Sequence, residues 1–230
     1  MRLAVIPARG GSKRIPRKNI RPFAGRPIVA WSIDAARDSG CFERIVVSTD
    51  DAQIAEVARA AGAEVPFMRP AALADDHTGT IDVVRHAIEH EAARGLPAEL
   101  VCCIYATAPL LVPTDLRAGL DTLMASDADF VISVTKYPFP IQRAVRVDSR
   151  GRLSMFDPDR FATRSQDLEE AYHDAAQFYW GRSRAWLSAA SLFGPATAAV
   201  VLPRHRVQDI DMPDDWTLAE LMFEAQHRRP

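Results

Sequence analysis

Residues 2–22, with the sequence RLAVIPARGGSKRIPRKNIRP, join a short apolar run directly to a basic loop. The run 3–7 predicts a buried β-strand, because it is short, continuously apolar and ended by a proline. The loop 8–22 carries six basic residues and no acidic one. The sequence therefore predicts a basic loop at the carboxyl end of the first strand.

The same alternation of apolar runs and helical patterns continues through the first 135 residues. Short apolar runs predict further strands at 44–48, 100–104 and 130–134. Apolar residues spaced three and four apart predict four helices. Two lie at 27–39 and 81–92, and the other two begin after the N-cap residues Asp51 and Thr114.

This order of elements predicts the fold class. Strands that are apolar throughout, alternating with helices, indicate a three-layer, doubly wound α/β fold with a mostly parallel, Rossmann-like sheet. Such sheets bind ligands at the carboxyl ends of their strands. We therefore expect a functional site in the loops that follow Ile6, Val47 and Ile104.

Residues 136–180 interrupt the alternation with prolines and aromatic residues. They predict a hairpin at 145–155 that turns at Arg150-Gly151, and a strand at 176–180. A strand at 198–202 and a helix at 213–225 follow. We predict one domain over 1–230 with an inserted lobe at about 137–180.

Composition excludes several classes of protein. The 230 residues are 48% hydrophobic and 25% charged, which argues against disorder. A net charge of −2 argues against a general nucleic-acid binder, and no apolar run is long enough to span a membrane. The N-terminus lacks a signal-peptide pattern, and the three cysteines form no CxxC pattern. We expect a cytoplasmic protein that binds neither nucleic acid nor membranes.

The loop after the first strand has the composition of a phosphate site. Gly10 and Gly11 allow close backbone approach and positive φ, and successive N–H groups in such a turn bind anions. Arg9 and Lys18 would bring positive charge to a triphosphate. The loop matches neither GxxxxGK nor GxGxxG, which disfavours a Walker A loop and a dinucleotide site. The alternative is a solvated basic loop without a ligand.

The first motif resembles the signature of a known enzyme family. Residues 6–13, Pro16 and Lys18-Asn19 are similar to the cytidylyltransferases for nine-carbon acidic sugars, a family that includes the CMP-sialic acid synthetases. The other segments that carry the resemblance follow in the family order at 48–51, 69–70, 82–84, 107–110 and 209–211. The resemblance covers nearly the whole chain and implies the nucleotidyltransferase version of the α/β fold.

Two segments indicate a branch of that family. Residues 105–109 (YATAP) and 173–180 (HDAAQFYW) resemble the members that act on pseudaminic acid. The sialic acid synthetases usually carry QPTSP at the first place. One departure is Ala176, where the pseudaminic acid enzymes usually carry glycine.

The resemblance implies transfer of CMP from CTP to the anomeric hydroxyl of a free ulosonic acid, with release of pyrophosphate. Its catalytic candidates are Arg9, Lys18 and Asp211. The nucleotide-binding candidates are Ala8, Arg9, Gly10, Gly11, Ser12, Lys13, Lys18, Asn19, Ser48, Asp50, Arg69 and Asp82. Asp50 equally fits a turn or cap residue, and Asp82 fits the first turn of a helix.

The acidic segment near the C-terminus is the candidate metal site. Asp209 and Asp211 are two residues apart, so on an extended chain both carboxylates point to one face. The resemblance implies that these two carboxylates hold Mg²⁺, which takes hard oxygen ligands and would bridge phosphate oxygens. The alternative is that these acidic residues only stabilise the N-terminus of the following helix, a role that Asp214 and Asp215 fit better.

The sugar candidates come from the loop after the 100–104 strand and from 173–180. They are Tyr105, Thr107, His173, Gln177 and Tyr179. The carboxylate of the sugar needs a cation, and the candidates are Lys136, Arg143 and Arg164. The resemblance also implies a homodimer in which the lobe packs on the partner.

Other functions remain open at this point. Within the same class, the substrate would be sialic acid or 3-deoxy-manno-octulosonate. A second class is a nucleotide-binding regulator that has lost catalysis, but Lys18 and the Asp209/Asp211 pair are present. A third is a nucleic-acid-binding module that uses the basic loop, against which the near-neutral charge argues.

Overall fold

The computed structural model describes residues 1–75, 78–189 and 191–228. The strands within them are β1 (Arg2–Pro7), β2 (Pro22–Phe23), β3 (Arg26–Pro27), β4 (Arg44–Ser48), β5 (Leu100–Ile104), β6 (Phe130–Lys136), β7 (Val145–Val147), β8 (Leu153–Met155), β9 (Tyr172–Arg182) and β10 (Thr197–Leu202). The helices are α1 (Ile28–Ser39), α2 (Ala52–Ala60), α3 (Thr80–Ala93), α4 (Pro113–Ala125), α5 (Ser183–Ser188) and α6 (Pro213–His227).

The central sheet has the strand order β10-β6-β9-β5-β1-β4. β1 pairs in parallel with β4 and β5, and β10 pairs in parallel with β6, so the predicted mostly parallel sheet is confirmed. β9 is the exception, since it runs antiparallel between β5 and β6. Pro7 lies opposite Ser48, so the loops after β1 and β4 leave the sheet side by side.

Helices cover both faces of the sheet. Alternate residues of a strand point to opposite faces, so Ala4 and Ile6 pack in one cluster while Leu3 and Val5 pack in another. The first cluster includes buried side chains of α1, α2 and α4, and the second includes those of α3 and α5. The result is the three-layer arrangement that the sequence predicts.

A third, smaller cluster fixes the C-terminal helix. Trp216 and Phe223 of α6 pack edge-on against Phe23, and the fully buried Ile210 belongs to the same cluster. This packing brings the chain that precedes α6 back over the start of the sequence. Burial of these apolar side chains therefore places the Asp209–Asp211 segment next to the basic loop.

The predicted lobe has a different boundary in the structure. Its last part, 172–180, belongs to β9 in the middle of the main sheet, because Phe178 and Trp180 are fully buried there. Residues 137–171 lie outside that sheet and contain the β7–β8 hairpin, which turns through Gly151 with φ +75° as predicted. The sugar candidates on β9 therefore stand on the main sheet.

Two local predictions meet different outcomes. The Asp51 cap of α2 is confirmed, since its carboxylate accepts a hydrogen bond of 3.0 Å from the backbone N of Ile54. The Thr114 cap of α4 is wrong. That helix begins at Pro113 after an extended Val112 and has no side-chain cap. Proline needs no N–H at the first helical position, which makes the cap dispensable.

Candidate active site

The basic loop lies across the carboxyl ends of β1 and β4. The backbone N of Ala8 donates to the carbonyl of Ser48 at 2.9 Å, and the backbone N of Gly10 donates to Oδ1 of Asp50 at 2.9 Å. The buried Asn19 donates from Nδ2 to the carbonyl of Arg9 at 2.8 Å. The first two bonds fasten the start of the loop to the end of β4 and the residues after it, and the third closes the loop on itself.

Gly10 is required here for a different reason from the one predicted. Gly10 and Gly11 do not adopt positive φ; that conformation occurs at Arg17, with φ +56°. At Gly10 a Cβ atom would lie 2.8 Å from Oδ2 of Asp51, whereas at Gly11 it would meet nothing within 4 Å. The close approach of the loop to the N-terminus of α2, and not its dihedral angles, excludes a side chain at Gly10.

An ion pair holds the unusual backbone conformation of Arg17. Its guanidinium donates to both carboxylate oxygens of Asp51, at 2.5 and 3.0 Å. These hydrogen bonds, with that from Ile54, lower the pKa of Asp51 to about 2. The carboxylate is therefore ionised throughout the neutral pH range, and the pair fastens the middle of the basic loop to α2.

The loop and the C-terminal acidic segment enclose one cavity of about 370 Å³. Its lining consists of Arg9, Ser12, Lys13, Arg14, Lys18, Asn19 and Asp211. All but Arg14 are candidates that the sequence analysis names. Arg14 is an addition, and its only signal in the sequence is its place among the six cations of the loop.

Lys18 joins the two ends of the chain. Its Nζ donates to the carbonyl of Ile210 at 2.6 Å and to Oδ1 of Asp211 at 3.3 Å, across a separation of 193 residues. Arg14 reaches the other oxygen of Asp211 at 2.9 Å. One carboxylate is thus held between two cations at the mouth of the cavity.

The acidic segment is fixed by the helix that follows it. Asp215 accepts hydrogen bonds from the backbone N of Asp211 at 3.0 Å and of Met212 at 2.7 Å, which confirms its predicted role at the helix start. Desolvation raises the pKa of Asp209, and the negative charge of Asp211 raises it further. The charges of Asp209 and Asp211 are therefore close enough to act on each other.

The pair is compatible with Mg²⁺. Within the described ranges, no group of three or more His, Cys, Asp or Glu side chains is placed to hold a metal ion. Mg²⁺ is usually held by one or two carboxylates, with water and substrate phosphates completing its octahedron. Asp209 and Asp211 are two carboxylates next to a cavity lined by cations, and they have the chemistry for that arrangement.

Three nucleotide candidates lie apart from this cavity. Ser48 is fully buried and its Oγ accepts from Nε of Arg69 at 3.1 Å. Arg69 is itself buried and also donates to the carbonyl of Leu73 at 3.4 Å. The pair ties the loop after β4 to the loop that begins at Arg69. Asp82 pairs with Arg85 at 2.8 Å and lines another cavity of about 550 Å³.

The tyrosine candidates form a chain with a residue that the sequence analysis missed. The hydroxyl groups of Tyr105 and Tyr179 lie 2.9 Å apart, and the hydroxyl of Tyr179 donates to the carboxylate of Asp174. Burial raises the pKa of both phenols, so they stay protonated. The carboxylate of Asp174 only accepts, so Tyr179 donates to it and Tyr105 donates to Tyr179. Both hydrogen bonds therefore point toward Asp174.

A cavity of about 680 Å³ brings the sugar and metal candidates together. Its charged and polar lining includes Lys136, His173, Asp174, Arg204, His205 and Asp209. Asp174 and Arg204 carry no sequence signal of their own.

The remaining sugar candidates lie elsewhere. Thr107 and Gln177 are buried, and Gln177 donates from Nε2 to the carbonyl of Arg206 at 2.5 Å. Arg143 lines a cavity of about 550 Å³ beside the hairpin, and Arg164 is exposed.

Replacing Gly10 with alanine is expected to weaken CTP binding at least about tenfold, because the new Cβ would push the loop off Asp51. Gly11→Ala is the matched control, since a Cβ there meets open space. Isothermal titration with CTP measures both. Equal affinities for the two variants would contradict the explanation that a side chain at position 10 collides with Asp51.

The chain is similar to known cytidylyltransferases along most of its length. The sequence matches the cytidylyltransferase family over residues 3–193. It is 44% identical to a pseudaminic acid cytidylyltransferase of Campylobacter jejuni, over 98% of this chain and 97% of that protein. It is 34% identical to the CMP-N,N'-diacetyllegionaminic acid synthase of Legionella pneumophila, over 96% of each chain.

The fold has a solved counterpart. A CMP:2-keto-3-deoxy-manno-octonic acid synthetase complexed with CTP superposes with a TM-score of 0.70 at 16% identity, covering 98% of this chain and 99% of that one. At that identity the likeness concerns the fold. Together with the family match over most of its length, it establishes that the chain belongs to the cytidylyltransferase family of nucleotidyltransferases.

Proposed function

We propose that the protein transfers CMP from CTP to the anomeric hydroxyl of a nine-carbon ulosonic acid, with pseudaminic acid as the substrate and pyrophosphate as the second product. The observation that carries the proposal is the meeting of the basic loop with the Asp209–Asp211 segment between two cavities. The 44% identity to a pseudaminic acid cytidylyltransferase supports the choice of sugar. We also propose that the protein is cytoplasmic.

The basic loop supplies what the nucleotide requires. Arg9, Lys13 and Lys18 line the cavity and would neutralise the triphosphate, while Asn19 holds the loop in shape through the carbonyl of Arg9. Charge neutralisation and positioning are the main demands of phosphoryl chemistry. Lys18 stands beside Asp211 and would face the α-phosphate or the leaving group.

The acidic pair and the second cavity supply what the sugar requires. Asp209 and Asp211 would hold Mg²⁺, which supplies charge for the phosphate oxygens and lowers the pKa of a bound hydroxyl. Asp209 also lines the cavity that contains His173, so a sugar there would have its anomeric hydroxyl near the metal carboxylates. Tyr105 and Tyr179 do not line this cavity, so they would act on the sugar through Asp174, which accepts the hydrogen bond of Tyr179 and does line it.

The test is pyrophosphate release from CTP and Mg²⁺ with pseudaminic acid, N-acetylneuraminic acid and 3-deoxy-manno-octulosonate offered separately. Turnover with pseudaminic acid alone is the expected result. Preference for another acid would keep the reaction and overturn the choice of sugar. CTP binding without turnover of any acid would favour a nucleotide-binding regulator. Absence of CTP binding would contradict the nucleotide site itself.

We further propose that the protein is a homodimer that pairs through the 137–171 segment. Large apolar side chains are exposed there, including Phe139 at 78%, Leu153 at 69% and Phe161 at 75%. Leu153 and Phe161 line the same cavity of about 550 Å³. Aromatic residues favour the cores of protein interfaces. A second copy of the chain is the occupant that the resemblance to the family implies.

Leu153→Asp combined with Phe161→Asp is expected to convert the dimer to a monomer, because each would bury an unpaired charge at the interface. Sedimentation equilibrium should give twice 25.4 kDa for the unmodified protein and 25.4 kDa for the double variant. Met124→Asp is the control, since Met124 is 64% exposed on α4, away from the segment. A double variant that remains a dimer would contradict the proposed interface.

A further inference from the structure

The cavity of about 680 Å³ is lined by both acidic and basic side chains, and these differ in whether they are already ion-paired. Asp174 and Asp209 bring two carboxylates into its lining, and Lys136 and Arg204 bring two cations. A substrate that itself carries a carboxylate would be repelled by the two aspartates unless a cation remains available to it. The binding of an acidic sugar here therefore depends on which cation is not already paired.

The two cations differ in that respect. Lys136 is ion-paired with Glu170. Within the part of the chain that the structure describes, no carboxylate or carbonyl engages the guanidinium of Arg204. Its near neighbour Arg206 is fully engaged, since it binds both oxygens of Asp115 at 2.5 and 3.0 Å. Arg204 is thus the cation of the cavity whose donors are uncommitted.

The turn that carries Arg204 is firmly held. Residues Arg204–Arg206 form a 3-10 turn in which the backbone N of Arg206 donates to the carbonyl of Pro203 at 2.9 Å. The bidentate ion pair between Arg206 and Asp115 joins this turn to α4. Gln177 of β9 donates a hydrogen bond to the carbonyl of Arg206 and joins the turn to the sheet. The backbone from which the Arg204 side chain extends is therefore fixed, while the guanidinium itself is exposed and accessible to a ligand.

The chemistry of the substrate decides where its carboxylate must go. In a 2-ulosonic acid the carboxylate carbon is bonded to the anomeric carbon, so the carboxylate and the attacking hydroxyl are separated by one carbon atom. The anchor of the carboxylate must therefore share a cavity with the metal carboxylates. Arg204 shares its cavity with Asp209, five residues further along the chain. Arg143 lines a different cavity of the same protomer and donates to the carbonyl of Thr163.

We propose that Arg204 binds the carboxylate of the ulosonic acid through its two-pronged guanidinium, a geometry that matches a carboxylate. This inference rests on the proposed function and adds to it the residue that selects an acidic sugar over a neutral one. Lys136 and the histidines line the remaining wall of the cavity.

The test compares the sugar acid with its uncharged methyl ester as acceptors in the pyrophosphate-release assay. The unmodified protein should prefer the acid at least about tenfold in kcat/KM, as expected when a charged hydrogen-bonded pair is lost. Arg204→Met should raise the KM for the acid by a similar factor, leave the KM for CTP within about twofold, and bring the preference close to one. Arg204→Lys, which keeps the charge without the fork, should recover part of the preference.

Two further variants complete the design. Arg184→Met removes the same charge at an exposed site paired with Asp129, and it should keep the preference for the acid. Lys136→Met tests the competing anchor. Retention of the preference in Arg204→Met, or its loss in Lys136→Met alone, would overturn the inference. Turnover of no acidic sugar by the unmodified protein would instead refute the proposed function.

Discussion

Lys18→Met is expected to lower kcat/KM for CMP transfer by about 10²–10³-fold, the usual cost of removing one preorganised charge at a reacting phosphate or oxyanion. Nζ of Lys18 is only 3.3 Å from Asp211 and 2.6 Å from the carbonyl of Ile210, so it is held in place before substrate binds. Its loss removes a cation from the cavity of about 370 Å³ and leaves Arg14 as the remaining cation of the loop that holds Asp211.

The measurement is the rate of pyrophosphate release at saturating sugar and varied CTP. Lys18→Arg is the matched variant, because it keeps the positive charge and should retain a larger part of the activity than Lys18→Met. A thermal unfolding midpoint close to that of the unmodified protein would separate catalysis from folding. A rate for Lys18→Met within about threefold of normal would refute the catalytic role of Lys18.

Asp209→Asn is expected to reduce kcat at least about 100-fold and to move the activation midpoint for Mg²⁺ to higher concentration. Asparagine keeps the size of the side chain and one oxygen, but it removes the negative charge that attracts the cation. Since Asp209 lines the second cavity and Asp211 the first, the two positions bracket the place where sugar and α-phosphate must meet.

The control for this experiment is Asp214→Asn, at an exposed position in the first turn of α6. It removes one negative charge from the same region and should leave both the rate and the Mg²⁺ midpoint nearly unchanged. A titration of activity against Mg²⁺ distinguishes the two variants. An unaltered Mg²⁺ midpoint in Asp209→Asn would contradict its assignment as a metal ligand.

Much of the fold was predictable because its signals are local. The strands at 44–48 and 100–104 have the predicted bounds, since a strand buried on both faces is a continuous apolar run. The Asp51 cap depends on a residue three positions away. The position of β9 was not predictable, because a run of apolar residues does not state which strands will flank it or in which direction.

The site shows the same division between local and distant information. The sequence alone named the loop cations and the Asp211 that line one cavity, and through the resemblance it indicated the family. The reason why position 10 must be glycine was not evident, because the obstructing carboxylate belongs to α2. The tertiary contact, and not the motif, determines the steric requirement.

The difference between local and distant information is clearest for Arg204 and Arg206. In the sequence they are two arginines in one short basic run, with nothing to separate their roles. In the folded chain Asp115 of α4 pairs with Arg206, whereas Arg204 lines a cavity with Asp209 and has no ion-pair partner among residues 1–75, 78–189 and 191–228. Amino-acid order determined the local elements and the chemical groups present. Only the tertiary structure decided which charges are paired, because ion pairs form between side chains that lie far apart along the chain.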